Sequence, residues 1–148
     1  MLRQSIKKGN SRIILAAPCG YGKTVVGVDI LEKVARNGKR GIFICDRIKL
    51  VQQTLEAFDR KGIRVGVMQG EHYRSDPDAP IQIASIQTLV RRRHLPIFHV
   101  AIVDECHTHY QSLTKMMQSM SKVIFIGFSA TPFSKGLGRH YSDLVVPI

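Results

Sequence analysis

Ala17-Pro18-Cys19-Gly20-Tyr21-Gly22-Lys23-Thr24 is the stretch on which the reading of this chain turns. It follows an apolar run, Arg12–Ala17, and opens a helical stretch, Lys23–Arg36, which is the context a phosphate-binding loop requires. Glycines at 20 and 22 let the backbone wrap so that its N–H groups point inward at phosphate oxygens. The helix N-terminus adds partial positive charge, and Lys23 brings a full one toward the β- and γ-phosphates of a nucleotide. Thr24 offers a hydroxyl to Mg²⁺. The candidate nucleotide-binding residues are therefore Pro18, Cys19, Gly20, Tyr21, Gly22, Lys23 and Thr24, with Ala17 standing where the general pattern has Gly.

Outward from the loop, short apolar runs alternate with helical stretches, the signature of a parallel sheet covered by helices on both faces. Strands are expected at Arg12–Ala17, Gly41–Asp46, Arg64–Met68, Ile81–Ser85, His99–Asp104 and Val123–Phe128. Most are continuous Ile/Val/Phe runs, as strands buried on both faces should be. The Lys23–Arg36 helix stops at Asn37-Gly38. A helix over Arg47–Lys61 gathers Leu50, Val51, Leu55 and Phe58 on one face. Shorter helices are expected over Ile86–Arg93 and Tyr110–Met120, the latter with Met116, Met117 and Met120 as core filler. Gln69–Pro80, rich in Gly, Asp and Pro, reads as a surface loop, and Phe133–Ile148 as the start of a connection to something else.

Eighty-one residues beyond Lys23 another strand ends in Val103-Asp104-Glu105-Cys106-His107. A carboxylate at the tip of a strand beside the phosphate loop suits Asp104 to hold, through its water shell, the Mg²⁺ that Thr24 ligates. Glu105, the next carboxylate, is suited to polarise the attacking water. Lys23, Asp104 and Glu105 are thus the candidate catalytic residues. A third strand runs into Gly127-Phe128-Ser129-Ala130-Thr131-Pro132, where the hydroxyls of Ser129 and Thr131 can hydrogen-bond the acidic box and sense nucleotide.

In this order the three motifs resemble those of superfamily 2 helicases and translocases, whose first RecA-like domain carries Ala-x-x-Gly-x-Gly-Lys-Thr, Asp-Glu-x-His and Ser-Ala-Thr. The Asp-Glu-Cys-His form, with Phe-Ser-Ala-Thr-Pro-Phe before Gly136-Leu137-Gly138, looks most like bacterial RadD-type and phage relatives of the XPB-like DNA helicases. The resemblance covers the chain after about Ser11. It implies one helicase ATP-binding domain over residues 1–148, using ATP and Mg²⁺, with His107 of the box also at the nucleotide. It further implies that Cys45–Gln53 and Ser85–Leu89 supply contacts to the backbone of a nucleic-acid strand, DNA being favoured. Arg47, Gln52, Gln87 and Thr88 are the candidates for those contacts. The family's adenine-reading Gln has no counterpart carried over here, since Gln4 stands too close to the first strand. No second RecA-like domain, the family's source of the arginine finger, is read within these residues. The expectation is a domain that holds nucleotide and hydrolyses it poorly alone.

Composition agrees. At 148 residues the chain is about one domain on a prior of roughly 100–200 residues. It is 44% hydrophobic and 22% charged with six prolines, which excludes a disordered or collagen-like chain. No apolar run approaches the roughly 18 residues of a membrane span. Three cysteines without metal-like spacing fit a reducing, cytoplasmic setting. The net charge is +11, and residues 1–74 hold 15 basic and 6 acidic side chains against 7 and 5 in the remainder. That imbalance points to a polyanionic partner. Two other readings stay open on these grounds: a small P-loop kinase, and a nucleic-acid-binding module with a relic nucleotide site.

Overall fold

The computed structural model describes residues 12–16, 23–45, 48–69, 74–92, 97–104, 122–129 and 143–145. Among these residues seven strands lie in one sheet: β1 (Arg12–Ala16), β2 (Gly41–Cys45), β3 (Val65–Val67), β4 (Ile81–Ser85), β5 (Val100–Val103), β6 (Ile124–Ser129) and β7 (Asp143–Val145). The described helices are α1 (Lys23–Arg36), α2 (Ile48–Arg60) and α3 (Ile86–Arg91). The sheet order is β3-β4-β2-β5-β6-β1-β7 and every pairing is parallel. The expected fold class holds. All strand C-termini therefore emerge along one edge.

Two cores explain why the strands read as continuous apolar runs. Along β2, Phe43 and Cys45 join the cluster that α1 covers with Val28 and Leu31 and α2 with Val51, Leu55 and Phe58. Ile42 and Ile44 point the other way, into the cluster that α3 covers with Ile86 and Leu89. With both faces buried, neither set of alternating positions is free to be polar. α1 ends on Gly38, whose φ of 73° is the left-handed conformation that glycine adopts without strain.

The loop after β3 is more tightly held than its composition suggests. The Val67 N–H donates to Arg74 O, so the returning chain pairs with the edge strand. Arg64 makes two hydrogen bonds to the Asp76 carboxylate, and Arg74 two to Asp59 near the end of α2. These guanidinium partners hold both carboxyls below their ordinary range. Gln82, buried at the start of β4, donates to the carbonyls of Asp76 and Ala79. The chain passes so close that a Cβ on Gly66 would collide with the Asp76 carbonyl.

One expectation is corrected at the C-terminal end. Within Phe133–Ile148, read as a connection, Asp143–Val145 forms β7 and pairs with β1 in parallel, Ile13 to Asp143 through Leu15 to Val145. The apolar run here, Leu144–Val146, is short and is cut off by Pro147, so the strand is set by pairing with the edge of β1 rather than by its own pattern. The expected helix Tyr110–Met120 lies outside the described residues. Among the described residues no helix is long and apolar enough to cross a membrane.

Candidate functional site

The site forms where three strands end side by side. β6 lies between β1 and β5: Ala16 is level with Ser129, and Val103 with Gly127. With strands about 4.8 Å apart, the ends of β1 and β5 stand roughly 10 Å from each other across β6. Residues 17–22, the candidate phosphate loop, connect β1 to α1, whose first residues are Lys23 and Thr24. Asp104 follows β5 directly. The helix start and Asp104 thus flank one strand end, with Ser129 between them as the last residue of β6.

The start of α1 favours an anion at this edge. α1 is 14 residues long and carries no acidic residue in its first turn, so its own side chains do not offset the partial positive charge of its N-terminus. Lys33 and Arg36 sit in its last turn, where cations are favourable. Gly27 allows α1 to lie close against the sheet, since a Cβ there would stand 2.5 Å from Cε2 of Phe43.

Asp104 is half-buried, and its Oδ1 is screened from solvent. Its N–H donates to Ile44 O at 3.0 Å, fixing the end of β5 to the end of β2. Thr24 is half-buried on the first turn of α1. A hydroxyl and a carboxylate are the hard oxygen donors that Mg²⁺ takes alongside phosphate and water, so the donor set fits that ion. Pro18, Cys19, Gly20, Tyr21, Gly22, Glu105, His107 and Thr131 lie outside the described residues, and so does Arg47.

The candidates for nucleic-acid contact approach the same edge from opposite faces. Gln52 is exposed on the second turn of α2, which packs on one side of the sheet. Gln87 and Thr88 are half-buried on the first turn of α3, on the other side. Thr88 is partly committed: Ser85 is the N-cap of α3, accepting from Thr88 N, and the two hydroxyls are 3.0 Å apart. A Ser at a strand end followed at once by a helix is a capping signal that the residues already carried. The Arg91 and Arg92 side chains at the end of α3 are exposed.

Comparison with known proteins gives a consistent picture. The sequence pattern of the family described as type III restriction enzyme, res subunit, matches residues 1–134. IRC3 of Saccharomyces cerevisiae is 27% identical over 146 residues, covering 86% of this chain and 21% of its own. The chain thus spans about a fifth of that relative's length. Among solved structures, the UvsW helicase of bacteriophage T4 superposes with a TM-score of 0.80 at 18% identity, over 98% of this chain and 58% of its own. The SWI2/SNF2 ATPase core of Sulfolobus solfataricus superposes with a TM-score of 0.71 at 18% identity, over 91% of this chain and 31% of its own.

Proposed function

The chain belongs to the type III restriction enzyme res subunit family, as a first RecA-like domain of the superfamily 2 helicase type, and from that premise we propose that it is the ATP-binding motor domain of a DNA helicase or translocase. The observation that carries the proposal is the sheet edge at β5-β6-β1, where the N-terminus of α1, with no acidic residue in its first turn, and Asp104 flank one strand end. That arrangement suits a triphosphate with its divalent ion better than a ligand without charge. A nucleic-acid partner is supported by the chain's +11 charge and by a protein of the same fold, the SWI2/SNF2 core, whose structure is of a complex with double-stranded DNA.

In this reading the backbone of 17–22 and Lys23 would hold the β- and γ-phosphates, and Thr24 and Asp104 would hold Mg²⁺. The bound ion supplies charge neutralisation on the phosphate oxygens. Glu105 orients a water and takes its proton as the water oxygen bonds to the γ-phosphorus. The bond to the bridging oxygen breaks, leaving ADP and phosphate. Ser129 and Thr131 report the state of the acidic box. Full turnover requires a second RecA-like domain, which closes the cleft over the nucleotide.

Calorimetric titration of ATP–Mg²⁺ into this chain tests the nucleotide site. Lys23→Ala should weaken binding about ten- to a hundredfold, as expected for loss of a charged hydrogen bond of ~1.5–3 kcal/mol. Equal affinity in variant and parent would reject the site. The nucleic-acid edge has its own test, anisotropy of labelled single-stranded DNA across a salt series. Affinity should fall with a log–log slope of about −0.7 per phosphate neutralised. Arg47→Ala should flatten that slope by up to about 0.7 and leave nucleotide affinity alone. A salt-independent affinity would place the polyanion elsewhere.

A further inference from the structure

Thr54 is a hydroxyl set among apolar side chains. It is only 3% exposed, on the same face of α2 as Val51, Leu55 and Phe58. Its Oγ1 donates to the Leu50 carbonyl one turn back, at 2.9 Å. The same oxygen lies 3.5 Å from Sγ of Cys45, the last residue of β2. A threonine hydroxyl has one proton, and here it goes to Leu50, so the thiol is the donor across the gap. The peptide before that cysteine carries the Ile44 carbonyl, which accepts the Asp104 N–H at 3.0 Å.

Stability alone does not call for this arrangement. A valine has the same shape, and replacing buried polar partners by apolar groups of that shape is often neutral or favourable. The hydroxyl supplies direction instead. A thiol donating to it fixes the rotation and axial position of α2 against the end of β2. A threonine bonded back to its i−4 carbonyl also sets the local bend of the helix. The turn so shaped, residues 50–54, carries Gln52, a candidate nucleic-acid contact. The strand end so fixed is hydrogen-bonded to Asp104, a candidate Mg²⁺ ligand.

We propose that Thr54 is a positioning residue that links the nucleic-acid side of α2 to the acidic box, through the Cys45 thiol and the Ile44–Asp104 hydrogen bond. This rests on the proposed helicase reading. It assigns Thr54 no contact with either ligand. When a nucleic-acid strand engages α2, the shift of the helix is passed to the end of β2 and so to Asp104. Removing the hydroxyl leaves both sites intact and weakens their coupling.

The test is ATP turnover by the complete protein that carries these residues, with and without single-stranded DNA. Thr54→Val should keep the basal rate and the KM for ATP while lowering DNA stimulation about two- to thirtyfold, the span expected for side chains that modulate coupling. Thr54→Ser, which retains the hydroxyl, should restore most of the stimulation. Cys45→Ala breaks the link from its other end and should reproduce the loss even if Thr54→Val folds poorly. The double variant should lose no more than either single one, because both remove the same contact. Stimulation unchanged in Thr54→Val and in Cys45→Ala would overturn the link, as would an equal loss in Thr54→Ser and Thr54→Val. A parent protein whose ATPase does not respond to DNA at all would overturn the helicase reading itself, and this inference with it.

Discussion

Glu105→Gln in the complete protein is expected to slow ATP hydrolysis about 10²–10⁴-fold, the contribution of a positioned general base, while nucleotide affinity stays near that of the parent. Glutamine keeps the shape of the side chain and loses the ability to take a proton from water. The neighbouring Asp104, fixed to β2 by its backbone and half-buried, is assigned to the metal and is untouched by the change. The measurement is steady-state phosphate release beside equilibrium nucleotide binding. Turnover equal to the parent's would remove Glu105 from the chemistry, and a matching loss of binding would make it a ligand-holding group instead. In the isolated 148-residue chain the parent rate is itself expected near background. A transition-state arginine supplied by a second domain is worth about 10³–10⁵ in comparable enzymes. An isolated chain that turned over as fast as the complete protein would refute that part of the mechanism.

What the residues disclosed in advance depended on how local the determinant was. α1 was readable to the residue, because a glycine-rich loop precedes Lys23 and Asn37-Gly38 stops the helix after Arg36. Six strands were readable within a residue or two, since burial on both faces writes them as apolar runs. Ile81–Ser85 agreed at both ends, whereas Arg64–Met68 shortened to Val65–Val67, with the Met68 N–H still donating to Ile83 O of β4. β7 was not readable, being created by the open edge of β1. Nor was the clamp on the Gln69–Pro80 loop, which joins Arg64 to Asp76 and Arg74 to Asp59 across gaps of 12 and 15 residues. The site divides along the same line. The placement of the candidates Lys23, Thr24 and Asp104 was readable because each stands at the end of a legible strand or the start of a legible helix. That β6 would seat Ser129 between them is a matter of strand order, which no local pattern encodes. Thr54 is an intermediate case: its spacing from Val51 and Phe58 already put it on the buried face of α2, and only its hydroxyl disguised it.

The close seat of α1 on the sheet should be the feature least tolerant of change. Gly27→Val is expected to destabilise the domain by about 3 kcal/mol or more, at or above the upper range of overpacking penalties. Helix propensity argues the other way, since glycine in a helix costs about 1 kcal/mol relative to alanine. Sterics decide the sign. An added Cβ would stand 2.5 Å from Cε2 of Phe43 and 3.3 and 3.4 Å from Ile102 and Phe128, all three of them buried. Phe43 has little freedom to yield, because its ring is packed edge-on against Phe58 with centroids 6.5 Å apart. Valine's two further methyl groups leave α1 to be pushed off the sheet, and Lys23 and Thr24 lie within about one turn of the pressure point. The variant should therefore lose nucleotide affinity together with stability, although residue 27 is not assigned to touch nucleotide. In thermal unfolding the expected fall is about 6–12 °C for a domain of this size. Val25→Ala, at a 55% exposed position of the same helix, should change stability by no more than about 0.5 kcal/mol. A Gly27→Val protein melting within about 2 °C of the parent, with nucleotide binding intact, would mean that α1 does not need this approach to present Lys23 and Thr24 at the sheet edge.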